Sequence, residues 1–147
     1  MKAHTICSLL MAVSTALAVP AKRAEEAVTI SGLWASETSE TADVQFILVD
    51  ANYDDTTDAS LSWERPGPPV TDSRTEDGNY WVDFPGGVSN ITSFTLAITR
   101  VKGPEIVEVT VNANETGSLW TCQTSIGSMV TTECRYSGNI TVYPTSS

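Results

Sequence analysis

The side chains that could carry out chemistry in this sequence are almost all carboxylic acids. The chain has 18 Asp and Glu, 8 Lys and Arg and a single histidine, His4, near its amino terminus. The rest of the chain lacks the imidazole that Ser-His-Asp and Cys-His sites need and that transition metals most often bind. Lys102 is the only lysine after residue 23 and lies in a turn pattern, so a buried Ser-Lys pair is not expected. No glycine-rich phosphate loop follows a strand pattern.

Paired carboxylates could still support glycoside hydrolysis, which needs two acidic side chains at a suitable separation. With 18 acids in the chain, some such pair arises by chance in any fold. We therefore predict solvated surface acids, no catalytic residue and no cofactor. A small carboxylate glycosidase is kept as the less favoured alternative.

One acidic stretch, DANYDDTTD, carries oxygen-bearing side chains at alternate positions, as calcium loops do. Its candidate ligands are Asp50, Asn52, Asp54, Asp55 and Asp58. However, the sixth position counted from Asp50 is Asp55 rather than glycine, and the twelfth is Leu61 rather than glutamate. The stretch is predicted to be a solvated loop without a metal, and loop-borne calcium is the alternative.

Four tryptophans, Trp34, Trp63, Trp81 and Trp120, could offer flat ring faces for stacking on sugars. Trp81 and Trp120 are flanked by apolar alternation and are predicted to pack in the core. Trp63 lies beside a proline-rich segment together with Arg65. These two residues are the predicted ligand-binding pair, and the alternative is that Trp63 covers the edge of a sheet.

The elements that must position these residues are strands, and the clearest of them form a hairpin between Ser118 and Tyr143. If Cys122 and Cys134 lie opposite each other, Trp120 pairs with Tyr136, and Thr124 with Thr132. The loop then lies around Gly127, Ser128 and Met129, and a third strand follows Ser137-Gly138. A Cys122–Cys134 disulfide across this loop is worth about 3 kcal/mol.

Apolar alternation predicts further short strands along the whole chain. They begin at Val28 toward Trp34 and continue over Asp43–Asp50, Leu61–Trp63, Tyr80–Phe84, Ser93–Val101 and the segment around Val107, Val109 and Val111. Both faces of the Asp43–Asp50 strand are predicted to be covered. The next predicted turn is Asn114–Gly117, and it can place Val111 opposite Trp120 and Val109 opposite Cys122. With seven to nine strands in all, the prediction is a single all-β domain, an antiparallel sandwich or barrel with one disulfide.

The amino terminus has the pattern of a secretion signal. Lys2 precedes an apolar run over Ile6–Val19, and Ala16-Leu-Ala18 fits a signal-peptidase site. We predict a signal peptide over 1–18, a propeptide over 19–23 ending in the basic pair Lys22-Arg23, and a single β-domain over 24–147. A plain basic pair that is not cleaved is the alternative.

Secretion agrees with the remaining sequence features. Cys7 leaves with the signal peptide, so an even pair of cysteines remains in an oxidising compartment. Three sequons predict glycosylation at Asn90, Asn114 and Asn139. Losing three cations and no acid changes the formal net charge from −10 to −13. Nucleic acids and anionic membranes are therefore not expected as partners, because both need clustered cations.

The order of several motifs resembles the small secreted fungal proteins related to the Alternaria major allergen. The resemblance covers nearly the whole mature chain, and its most specific parts are FPGG at Phe84–Gly87 and WTC at Trp120–Cys122. It implies a β-barrel or sandwich, secretion by a filamentous fungus, and a non-enzymatic role as an allergen, elicitor or effector. The partner would be a host or cell-wall protein or carbohydrate, and the protein a monomer or weak homodimer. A carbohydrate- or small-ligand-binding module is the alternative.

The sequence departs from this family at two positions. Relatives usually carry one cysteine before the Ser-x-Ser-Trp stretch and another before the Tyr-x-x-x-Phe-Pro strand. Here Ala59 and, approximately, Thr75 occupy those positions. Without that disulfide, we expect the irregular segment Glu64–Gly78 to be mobile, which hydrogen exchange can test.

Overall fold

The computed structural model describes residues 26–69, 71, 73–103, 105–124 and 131–146. These residues form eleven strands and no helix. In chain order the strands are β1 (Val28–Glu37), β2 (Thr41–Asp50), β3 (Asp55–Glu64), β4 (Ser73–Arg74), β5 (Tyr80–Asp83), β6 (Ser93–Arg100), β7 (Glu105–Asn112), β8 (Trp120–Thr124), β9 (Thr132–Tyr136), β10 (Ile140–Val142) and β11 (Thr145–Ser146). The predicted signal peptide, propeptide and basic pair lie outside the described residues.

The strands form two antiparallel sheets packed face to face. The larger sheet has the order β3-β2-β1-β9-β8, and β10 also pairs with β1. The smaller sheet has the order β11-β7-β6-β5-β4. The protein is therefore all-β, as predicted, and of the two predicted architectures it is the sandwich. Within the described part of the chain, no helix is long and apolar enough to cross a membrane.

Period-two alternation directs one side of each long strand into the core between the sheets. The predicted inward residues are all buried: Val44, Phe46 and Leu48 in β2, Phe94, Leu96 and Ile98 in β6, and Val107, Val109 and Val111 in β7. Polar neighbours such as Glu108 and Thr110 face solvent. The pattern of hydrophobic residues therefore determines which face of each strand is buried.

A chain of aromatic rings crosses the core between the sheets. The ring centroids of Trp63 and Phe84 are 5.7 Å apart, those of Phe84 and Phe94 5.6 Å, and those of Phe94 and Trp120 5.8 Å. The last two pairs are edge-to-face, an arrangement that stabilises beyond burial alone. Trp120, which is 1% exposed, donates its indole N–H to the Ile91 carbonyl at 3.1 Å. Its core position was predicted correctly.

The disulfide hairpin has the predicted register. Cys122 and Cys134 are bonded and directly opposite, Trp120 pairs with Tyr136, and Thr124 pairs with Thr132 in β8 and β9. The third strand of the stretch is β10, which pairs with β1. The predicted loop residues Gly127, Ser128 and Met129 lie outside the described part.

The predicted pairing of Val111 with Trp120 and of Val109 with Cys122 is wrong. β7 pairs with β6 and β11 in the smaller sheet, whereas β8 pairs with β9 in the larger sheet. The connection over 113–119 crosses between the sheets instead of closing a hairpin. Val111 and Trp120 still line the same core, but from opposite sides.

The acidic stretch is only partly a loop, and the predicted strand Leu61–Trp63 was too short. β3 begins at Asp55, which pairs with Asp50, so only residues 51–54 connect β2 to β3. Thr57 and Ala59 continue the inward alternation of Leu61 and Trp63. Their small or polar side chains hid this half of the strand from a prediction based on large hydrophobic residues.

Candidate binding surface

Trp63 is not available as a surface platform, so the prediction that its ring is exposed is wrong. The alternation of β3 directs it inward, where it is 5% exposed and contacts Phe84. Its predicted partner Arg65 forms an ion pair with Glu37, with Nη1 2.7 Å from Oε2. The Arg65 backbone N–H also donates to the Glu40 carbonyl. These contacts tie Arg65 to the end of β1 rather than to a ring platform with Trp63.

A β-bulge at Gly32 turns a different tryptophan outward. Ser31 pairs with Ile47 and Trp34 with Gln45, so β1 advances by three residues where β2 advances by two. Gly32 has a φ of 61°, a left-handed conformation that glycine adopts readily. The extra residue places Leu33, 2% exposed, in the core and Trp34 on the opposite side. A glycine inside a strand pattern is the sequence signal that could have indicated this.

Trp34 occupies the middle of a row of side chains that crosses the larger sheet. Pairing across the five strands gives the row Ser60, Gln45, Trp34, Arg135 and Thr121. A parallel row contains Ser62, Asp43, Ser36, Glu133 and Gln123. We call this solvent-facing side of the larger sheet the open face. It combines one aromatic ring with hydroxyl, amide and charged groups that can hydrogen bond.

The open face also exposes apolar side chains of β2. Ile47 is 41% exposed and Val49 is 37% exposed, although β2 is central in its sheet. The prediction that both faces of β2 are covered is therefore wrong, because solvent contacts this side. A shallow cavity of about 420 Å³ beside the bulge is lined by Gly32, Gln45, Ile47, Asp58 and Ser60, with Phe46 and Ala59.

Charges on the open face are arranged around Trp34 and Glu133. The Trp34 indole N–H is shielded from solvent and forms no hydrogen bond of normal geometry among the described residues. It nevertheless lies beside Glu133. The pKa of the Glu133 carboxyl is lowered, mainly by this N–H and to a smaller extent by the Arg135 guanidinium. Arg135 Nη2 is 2.6 Å from Glu133 Oε1. Glu133 therefore remains an anion beside the tryptophan at neutral pH.

A second polar cluster lies at one end of the sandwich. Tyr80 Oη donates to Asp50 Oδ2 at 3.0 Å and accepts from Arg100 Nη1. Tyr53 Oη donates to Glu105 Oε1 at 2.6 Å, and the Arg100 guanidinium lies 3.5 Å from the Tyr53 ring centroid. Burial followed by the bond to Asp50 raises the pKa of Tyr80, and the bond to Glu105 raises the pKa of Tyr53. Both phenols stay protonated donors at neutral pH.

The two carboxylates of this cluster do not line a substrate-sized cleft. Asp50 and Glu105 border a cavity of only about 10 Å³, roughly the volume that one water molecule needs. The Glu105 carboxylate folds over Gly103, where a Cβ would collide with Oε2. The space between the two acids is therefore too small for a sugar ring.

The candidate calcium ligands point in different directions. Asp50 is 3% exposed and turned toward Tyr80, whereas Asp58 lies on the solvent side of β3. Asp55 contacts Arg100 at 3.5 Å and accepts from Asn79 at 3.0 Å. Among the described residues, no three His, Cys, Asp or Glu side chains are grouped so that they could hold a metal ion.

The three sequon asparagines are exposed. Asn90 precedes β6, Asn114 lies in the connection between β7 and β8, and Asn139 lies between β9 and β10. A glycan at any of them would extend into solvent without displacing core residues. Glycosylation at the three sites stays a prediction.

Fold and surface together define a disulfide-bonded antiparallel β-sandwich with one open, tryptophan-centred sheet face. Comparison with protein-family models, curated proteins and solved structures found no match to this chain.

Proposed function

We propose that the protein is a secreted, non-catalytic interaction protein that binds a host or cell-wall component through its open face. The observation that carries the proposal is the Gly32 bulge, which directs Trp34 out of the core onto the open face. Its cross-strand neighbour Gln45 lines the cavity of about 420 Å³. Bulges commonly re-aim side chains next to functional sites. Trp34 shares this sheet face with exposed Ile47 and Val49, and together they provide apolar surface of the kind that the centres of protein interfaces use.

The fungal, allergen- or effector-like character is part of the same proposal and is supported by the motif resemblance. One structural observation agrees with that resemblance. Ala59 and Thr75, the positions where relatives carry cysteines, are both 3% exposed. The residues next to them in the chain are joined by a hydrogen bond from Glu76 N–H to the Asp58 carbonyl at 2.8 Å. Two cysteines at such neighbouring buried positions would be well placed to pair.

A carbohydrate-binding module is the second candidate, and the composition of the row around Trp34 favours it. Tryptophan rings stack on sugar rings, and Ser60, Gln45 and Arg135 supply hydrogen-bonding groups on either side. Protein and carbohydrate ligands would both use the same face. The two candidates differ only in which class of molecule is captured.

The test compares the purified wild-type protein with Trp34→Ala and with Tyr143→Ala. Tyr143 is 68% exposed and lies outside the open face, so it controls for loss of an exposed aromatic ring. Each protein is used to capture ligands from host apoplastic fluid and on a glycan array. We expect capture that Trp34→Ala reduces about tenfold and Tyr143→Ala leaves unchanged. Capture that is equal in all three proteins would contradict the proposal.

A further inference from the structure

Some of the positively charged side chains of this protein are paired with carboxylates and others are not. Five of the eight Lys and Arg residues lie in the described part. Three of the five are ion-paired, and the pairs are Arg65–Glu37, Arg100–Asp55 and Arg135–Glu133. The side chains of Arg74 and Lys102 form no ion pair or hydrogen bond with the described residues. This is unusual in a chain with 18 acids, where a free cation has many available partners.

Both unpaired cations line the same cavity. It has a volume of about 220 Å³ and is formed by Arg74, Gly78, Asn79, Arg100, Val101 and Lys102. Arg74 comes from β4, Arg100 ends β6, and Lys102 lies in the turn that follows β6. Three of the five described cations therefore converge on one cavity of an otherwise acidic protein.

Aromatic rings hold the two guanidinium groups in place. Arg74 lies 3.9 Å from the Trp81 ring centroid, and Arg100 lies 3.5 Å from that of Tyr53. Stacking fixes the plane of a guanidinium group while leaving its N–H edges free to donate. Arg100 already donates to the Tyr80 hydroxyl and is ion-paired with Asp55, so it would contribute mainly its charge to a ligand in the cavity. The unused donors belong to Arg74 and Lys102.

Two acids near the cavity, Asp55 and Asp77, are already engaged by other groups. Asp55 contacts Arg100 and accepts from the Asn79 amide, and Asp77 accepts from the same amide at 2.7 Å. Burial opposes ionisation of Asp77, but hydrogen bonds from Thr75 and Asn79 outweigh it and lower the pKa of its carboxyl. Asp58 and Glu76 line a neighbouring cavity with Arg74, but neither forms an ion pair with it. Arg74 and Lys102 therefore have no ion-pair partner among the described carboxylates.

We infer that this cavity is a binding site for an oxyanion, with Arg74 and Lys102 donating to its oxygens and Arg100 adding positive charge. Guanidinium groups match the oxygen pairs of phosphate, sulfate and carboxylate groups, and lysine adds a point charge. The cavity volume suits a free inorganic anion or one acidic sugar unit. The site belongs to the end of the smaller sheet, so it can be tested independently of the open face.

The test is an NMR titration of the ¹⁵N-labelled protein at low ionic strength with phosphate, sulfate and galacturonate, and with galactose as a neutral control. We expect saturable shifts around residues 74 and 100–103 with the three anions and none with galactose. Arg74→Gln and Lys102→Gln should each weaken binding about tenfold, because each removes a charge-assisted hydrogen bond. Lys102 is exposed, so its variant should fold normally even if the Arg74 variant does not.

Arg135→Gln is the matched control, because it removes the same charge from the other sheet. It should change the affinity less than twofold. Tighter binding of galacturonate than of phosphate would identify an acidic sugar as the preferred ligand of the site. The reverse order would identify a free inorganic anion. An absence of saturable shifts, or equal weakening by Arg135→Gln and Lys102→Gln, would overturn the inference.

Discussion

At the scale of single residues, the strand pattern settles which way most side chains point. The alternation correctly placed Phe94, Leu96 and Trp120 in the core. It failed for Trp81, which was predicted to be in the core and is only partly buried. It also does not give the direction of Trp34. Trp34 shares its parity with Val28 and Ile30, and only the bulge at Gly32 reverses its direction. One inserted residue moves every later side chain of the strand to the other face. Whether Trp34 or Trp63 lies on the surface therefore depends on this bulge, which strand alternation alone does not reveal.

Tyr80 is the residue whose polar contacts best explain stability at the end of the sandwich. Its hydroxyl is the donor to Asp50 Oδ2, while Asp50 Oδ1 accepts from Asn52 N at 3.0 Å. Tyr80→Phe leaves a buried carboxylate oxygen without that donor. We expect a loss of about 1–3 kcal/mol in the free energy of unfolding by urea at pH 7. Tyr143→Phe, at a 68% exposed position, should change it by less than about 0.5 kcal/mol.

Tyr80→Phe should also change how the free energy of unfolding depends on pH. Folding raises the pKa of Tyr80 above its ordinary value of 10.0, because burial and then Asp50 disfavour the phenolate. Its stabilising contribution is therefore fully present below pH 10 and is lost as the pH rises further, when only the unfolded state releases the proton. The urea unfolding free energy of the wild-type protein should fall more steeply between pH 10 and 11 than that of Tyr80→Phe. Parallel slopes would contradict this assignment.

At the scale of elements, local pairing was predictable and the choice of sheet was not. The β8–β9 register followed from placing the two cysteines opposite each other, within bonding distance. The β7–β8 pairing failed because a connection over 113–119 can either close a hairpin or cross between sheets. Both outcomes leave the valines of β7 and Trp120 buried in the same core. Burial pattern alone therefore cannot distinguish them.

The bulge in β1 is the element-level feature on which the open face depends. Gly32 adopts a φ of 61°, and a Cβ built there meets no atom within 4 Å. Gly32→Ala therefore adds backbone strain without a collision, and we expect it to lower the free energy of unfolding by about 1–2 kcal/mol. Gly32→Asn should cost less, because asparagine tolerates this conformation better.

Chemical denaturation measures these differences, and Gly86→Ala is the control. Gly86 also has open space where a Cβ would lie, but its backbone is not in the left-handed region. Its substitution should be close to neutral. A Gly32→Ala protein as stable as the wild type would show that the bulge is not held by the glycine conformation.

At the scale of the whole molecule, the all-β class and single disulfide were predictable, but the choice between sandwich and barrel was not. Alternation identifies the buried face of each strand without stating which strands are neighbours. The order β3-β2-β1-β9-β8 joins strands that are distant in sequence, and β1 is shared between β9 and β10. Such long-range pairings are set by the packing of the complete core.

Net charge is the other property of the whole molecule, and it predicts how stability responds to salt. A formal charge of −10 at pH 7 repels itself more strongly in the compact state than in the expanded unfolded chain. Only three ion pairs among the described residues offset this repulsion. Raising NaCl from about 0.01 to about 0.5 M should therefore raise Tm by roughly 3–6 °C, because salt screens the repulsion.

A charge-reduced variant separates this repulsion from other salt effects. Glu108→Gln with Glu115→Gln removes two exposed acids that have no ion-pair partner among the described residues. Its Tm should exceed that of the wild type at the lower salt concentration, and the difference should shrink at the higher one. If Tm instead falls as salt is added, the three ion pairs outweigh the repulsion.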